Sequence, residues 1–126
     1  MNLTSHFTLS ELTKTSTGLC NKPSPSAACN LVRLAEVLEH VRYLFGRPIV
    51  VNSAYRSQAV NAAVGGASNS FHLKGCAADI RPVDNDPIIR KRLFDICSTL
   101  RSNHTCYDVV ELISEPTWIH IAIKGM

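Results

Sequence analysis

The run Ser70-Phe71-His72-Leu73-Lys74-Gly75-Cys76-Ala77-Ala78-Asp79 carries a histidine and an aspartate with six residues between them. Asp79 stands among Ala77, Ala78 and Ile80. A carboxylate buried without a partner costs several kcal/mol, so this one needs a cation or strong hydrogen bonds. A second run, Trp118-Ile119-His120-Ile121-Ala122-Ile123, places another histidine in an apolar stretch. Taken alone, His120 reads more readily as a satisfied core residue than as a ligand. Taken together, two imidazoles and one carboxylate form the ligand set of many hydrolytic zinc sites. Three protein ligands leave the fourth position for water, whose pKa zinc lowers towards about 7. His6, His40 and His104 fall in polar surroundings and read as surface residues.

A third piece is Asn52-Ser53-Ala54-Tyr55-Arg56-Ser57, followed by Val60-Asn61 and Val64-Gly65-Gly66. A guanidinium at a strand-to-helix junction can grip a carboxylate with two parallel hydrogen bonds. That carboxylate is either a substrate's or a structural partner's, and residue type alone leaves both open.

These residues need elements to hold them. Thr8 and Glu11 form a capping-box pattern in a short N-terminal helix. Residues 14–25 read as a loop. Leu31, Leu34, Val37, Leu38, Val41 and Leu44 recur at three- and four-residue spacing, which predicts a helix from about Ser26 to Phe45, stopped by Gly46. Ile49–Asn52 and Cys76–Ile80 read as strands, with a short helix over 57–64 and a loop over 67–75 between them. A second long helix is predicted over 86–100, with Pro87 at its start. Tyr107–Ile113 and Trp118–Ile123 then form a hairpin around a loop of Ser114 to Thr117. The order predicts an α+β fold: one domain over 1–126, a small, mainly antiparallel sheet with helices packed on it.

Composition bounds the partners. With 126 residues and 45% hydrophobic content, the chain fits one compact domain with a real core. A net charge of +3 is too mild to imply nucleic acid. No stretch is apolar enough to span a membrane. The opening residues lack the basic and apolar regions of a signal peptide, which predicts synthesis in a cytoplasm and delivery by other means, such as lysis. Five cysteines without a CxxC pair argue against a cysteine zinc site. Most read as small buried hydrophobes, while Cys20 and Cys29 are close enough in sequence to pair under oxidising conditions.

The ordered set Ser53-Ala54-Tyr55-Arg56-Ser57, Val60-Asn61, Val64-Gly65-Gly66, Ser70-x-His72-x-x-Gly75-x-Ala77-x-Asp79 and Trp118-Ile119-His120 resembles the zinc D-Ala-D-Ala carboxypeptidase family. The similarity is to the branch that includes phage endolysins and peptidoglycan endopeptidases, and it runs from about residue 3 to 123. It implies a Hedgehog/DD-peptidase-like fold and one zinc ion held by His72, Asp79 and His120. It implies Arg56 as the substrate's carboxylate anchor. Ser70 would position substrate or the ligand loop, although a turn residue bonding its own backbone explains it as well. Tyr55 and Trp118 are expected to pack rather than react. The implied partner is a peptidoglycan stem peptide or crossbridge, met by a monomer acting on the cell wall after release, and a phage gene is the expected source.

One position departs from the family pattern. Many members carry a glutamate three residues before the last ligand, where this chain has Thr117. Glu111 and Glu115 are the nearby carboxylates. A loop over 114–117 would pair Ile113 with Trp118 and set Glu111 opposite His120, on the same face. Glu111 is therefore the expected proton acceptor, with Glu115, expected to be a solvent-exposed loop residue, as the alternative. The missing glutamate also leaves two other readings: a zinc-binding module of the same fold without catalysis, and a metal-free domain in which Asp79 pairs with Arg56 or a histidine.

Overall fold

A computed structural model of the chain describes residues 1–102 and 108–125. His104, Cys106 and the first residue of the expected hairpin, Tyr107, lie outside the described residues. The elements are α1 (Leu9–Leu12), α2 (Pro25–Phe45), β1 (Ile49–Ser53), α3 (Gln58–Ala63), a 3-10 turn (Phe71–Lys74), β2 (Ala77–Pro82), α4 (Pro87–Ser102), β3 (Val109–Ser114) and β4 (Ile119–Ile123). The four strands form one antiparallel sheet in the order β1-β2-β4-β3. The fold is α+β, as expected.

The long helix follows its sequence signals. Ser24 accepts from the Ala27 N–H at its start, Pro25 opens it, and Gly46 closes it at φ 75°. Leu31, Leu34, Val37, Leu38 and Val41 are all buried. Leu44 is not: it is exposed, and Phe45 is buried in its place. The stripe 31, 34, 38, 41, 45 alternates steps of three and four, and its last step of four carries the buried face past Leu44. This stripe packs with Leu93, Cys97 and Leu100 of α4 and with Val51, Ile80, Ile119, Ile121 and Ile123 of the sheet.

Alternation in the sheet separates core from site. Ala78 opposes Ile121, and Ile80 opposes Ile119, all fully buried. Between those two pairs, Asp79 opposes His120 and both turn to the other face. A one-residue slip would bury the two polar groups in the core, so the apolar pattern of β2 and β4 fixes the site's register.

The hairpin register differs from the expected one. The loop is Glu115 to Trp118, closed by the Glu115 N–H to the Trp118 carbonyl at 2.9 Å. Moving the loop by one residue moves the pairing by two: Ile113 opposes His120, and Glu111 opposes Ala122. A shift of two preserves the face, so Glu111 stays on the His120 side as a diagonal neighbour. Glu115 is half-buried rather than exposed. Cys20 and Cys29 are exposed and not joined to each other, while Cys76 and Cys97 are buried.

Candidate metal centre

His72 is held in a 3-10 turn where a loop was expected. Ser70 caps the turn, its hydroxyl accepting from the His72 N–H at 3.1 Å. Gly75 ends it at φ 73°, in the left-handed region. A Cβ on Gly75 would lie 2.6 Å from the Ala27 carbonyl oxygen, so the turn presses directly on α2. From α2, buried Asn30 donates to the Lys74 carbonyl at 3.0 Å.

The chain after β1 clamps the same histidine. Arg56 donates its backbone N–H to the His72 carbonyl at 3.0 Å. The Ala54 carbonyl sits 2.6 Å from Nδ1 of His72. A carbonyl only accepts, so Nδ1 carries a proton and Nε2 is the nitrogen left to meet a metal. The His72 side chain is almost wholly buried, which leaves the ring little freedom.

β1 carries a bulge between Val51 and Ser53 that sets Ser53 opposite Asp79. Ser53 Oγ accepts from Nε of Arg56 at 3.1 Å, and Asp79 Oδ2 accepts from an Arg56 terminal nitrogen at 3.3 Å. The other terminal nitrogen reaches Oδ1 of Asn61 at 3.4 Å, while the Asn61 amide donates to the Ala67 carbonyl at 2.9 Å. A Cβ on Gly66 would fall 2.0 Å from that Asn61 oxygen. Asn61 and Gly66 thus fit as a pair behind the guanidinium.

Asp79 Oδ1 faces both imidazoles, 3.3 Å from Nε2 of His72 and 3.0 Å from Nδ1 of His120. Its side chain keeps 13% of its exposure. Burial alone would raise the Asp79 pKa, but hydrogen bonds from His120 and His72 outweigh it and hold the carboxyl well below the usual range. The Asp79 hydrogen bond pushes His120 up, burial opposes this, and Glu111 adds to the rise. Glu111 Oε1 lies 2.8 Å from Nε2 of His120.

His72, Asp79 and His120 each offer one donor atom, all within 4.8 Å of one another. Donors bound to zinc at about 2.0–2.1 Å in a tetrahedron stand about 3.3 Å apart. The two contacts to Oδ1 already match that spacing, and two nitrogens with one carboxylate oxygen suit zinc. The residues present therefore fit the metal.

The structure brings Arg56, His72, Asp79, Glu111 and His120 into one connected cluster. Ser70 reaches it through the His72 backbone. Tyr55 is buried and Trp118 half-buried. Three contributors were not assigned roles from sequence: the Ala54 carbonyl, Ser53 and the Asn61–Gly66 pair. The last had a signal, since Asn61 and Gly66 belong to the ordered motifs, but a backbone carbonyl has no signature in residue type.

Residues 5–122 match the peptidase M15 family. Over 83 residues, 60% of this chain, the sequence is 36% identical to the "Zinc D-Ala-D-Ala carboxypeptidase" of Streptomyces albus G. That stretch covers 31% of the relative's length, so the chain corresponds to about a third of that protein.

Proposed function

The chain belongs to the peptidase M15 family, and from that premise we propose that it is a zinc peptidase hydrolysing an amide bond in peptidoglycan peptides. The observation that carries this reading is the convergence of His72 Nε2, Asp79 Oδ1 and His120 Nδ1, with an arginine on the other oxygen of the same carboxylate. The substrate class rests on the similarity to the Streptomyces enzyme.

Bound at those three donors, zinc would supply Lewis acidity for the scissile carbonyl and an acidified water. His72 is set for this by the Ala54 carbonyl, which fixes its tautomer. Asp79 divides its oxygens, one towards the metal position and one towards Arg56. Arg56 has five N–H groups, and its bonds to Ser53, Asn61 and Asp79 use three. One N–H remains on each terminal nitrogen, enough for a bidentate grip on a peptide carboxylate. Ser70 supports the ligand turn, its hydroxyl accepting from the His72 N–H.

The action proposed is that of a monomer on the cell wall, after release from the cell that makes it and in the manner of a phage endolysin. No helix among the described residues is long and apolar enough to cross a membrane. A D-amino-acid-containing stem peptide or crossbridge is the bond's setting.

Two observations favour a second reading, a zinc-binding module without catalysis. Thr117 replaces the usual glutamate, and Glu111 is bonded to a ligand histidine rather than turned to the metal position. Digestion of purified peptidoglycan, with mass spectrometry of the released fragments, separates the two. The peptidase reading expects newly cleaved amides with zinc-loaded protein and none after chelation. Intact peptidoglycan with bound zinc gives the second reading.

A further inference from the structure

Resting on the zinc reading above, we infer that Glu111 is a positioning residue that works through His120 rather than on the attacking water. It fixes the ring so that Nδ1 is the metal ligand.

The two nitrogens of the His120 ring have different neighbours. Nδ1 points into the cluster, 3.0 Å from Asp79 Oδ1. Nε2 points out of it, 2.8 Å from Glu111 Oε1. The imidazole lies between Glu111 and the converging donors, so the carboxylate stands on the far side of the ring from the open metal position. A proton acceptor for the water has to reach that position directly or through one water. Glu111 instead accepts a hydrogen bond from Nε2–H, so a metal would take the place of the proton that Nδ1 shares with Asp79.

The strand register produces this geometry. Opposite Ala122, Glu111 is a diagonal neighbour of His120 on the same face. Diagonal partners are separated by about 7–8 Å in the backbone, within reach of a long side chain. From there the carboxylate meets the ring's outer edge. His72 is treated in the same way by a different group: the Ala54 carbonyl takes its Nδ1 and frees Nε2. Both candidate histidine ligands thus have their off-metal nitrogen engaged by an oxygen acceptor. Such partners set ring orientation and raise ligand basicity, and losing one weakens metal binding by roughly 10–100-fold.

The test compares the unmodified protein with E111A and E111Q. Zinc affinity is measured by competition with a chromophoric chelator, and peptidoglycan cleavage is followed over a range of zinc concentrations. Glu111 is partly solvent-exposed, and circular dichroism checks that both variants fold. The expected result is a loss of roughly 10–100-fold in zinc affinity for E111A. E111Q recovers much of it, because an amide oxygen still accepts from Nε2–H. Raising the zinc concentration restores cleavage lost by either variant. Unchanged affinity in E111A, with cleavage lost in both variants and not restored by zinc, overturns the inference and makes Glu111 the proton acceptor. If the unmodified protein binds no zinc, the zinc reading itself fails, a result distinct from equal affinities in all three proteins.

Discussion

Asp79 and His120 face each other directly across β2 and β4, and the pairing puts Oδ1 of one 3.0 Å from Nδ1 of the other. Two of the three candidate ligands are therefore set by sheet register alone. The third, His72, is brought in by a capped turn that rests on α2.

The pairing predicts the effect of losing the carboxylate. Asp79→Ala removes a donor oxygen and leaves the Arg56 guanidinium without its ion-pair partner. Purified variant should contain no zinc. Unpairing the partly buried arginine should lower stability by about 2–3 kcal/mol in urea unfolding of the zinc-free protein. A variant that keeps one zinc per chain would remove Asp79 from the ligand set.

A glycine away from the metal should matter for substrate. In Gly66→Ala the new methyl would lie 2.0 Å from the Asn61 oxygen and 3.1 Å from an Arg56 nitrogen. Asn61 must move, and with it the support behind Arg56. Overpacking of this kind costs about 1–3 kcal/mol. Thermal unfolding should show that loss, and steady-state kinetics should show KM rising more than kcat falls. An unchanged KM would detach the Asn61–Gly66 pair from substrate binding.

Cysteine reactivity should follow burial. Burial pushes the Cys97 thiol up to about 12 and also raises Cys76. The thiolate is the reactive form, so both should resist alkylation of the native protein at pH 8, while exposed Cys20 and Cys29 react. Peptide mass spectrometry after iodoacetamide treatment, with and without denaturant, reads this out. Native labelling of Cys97 would show that the α4 packing opens readily.

Zinc should stabilise the folded chain. A ligand that binds only the native state adds about 4 kcal/mol when present at 1,000 times its Kd. Excess zinc should raise the Tm of the chelator-stripped protein by roughly 10–20 °C, whereas magnesium, which takes oxygen ligands, should leave it unchanged.

Much of this was legible in the sequence because its causes are local. Capping residues, Pro25 and Gly46 bound α2, and the alternation around Asp79 and His120 sets their face. Two features were not legible, for identifiable reasons. The hairpin register depends on where a loop of four residues begins, and Ser114 and Glu115 gave no strong turn signal to choose between them. A two-residue change kept Glu111 on the correct face but moved it from directly across His120 to a diagonal, with its carboxylate 2.8 Å from Nε2 of that ring. The 3-10 turn around His72 depends on Gly75 meeting the Ala27 carbonyl of α2, a tertiary contact that residues 67–75 do not encode by themselves.

Anomalous diffraction at the zinc edge, from crystals of the zinc-loaded protein, tests most directly whether a zinc ion is held by these atoms. The predicted result is one strong peak per chain, about 2.0–2.2 Å from His72 Nε2, Asp79 Oδ1 and His120 Nδ1. No peak among these three residues would contradict the zinc centre, and a peak coordinated by Nε2 of His120 would contradict the role assigned to Glu111.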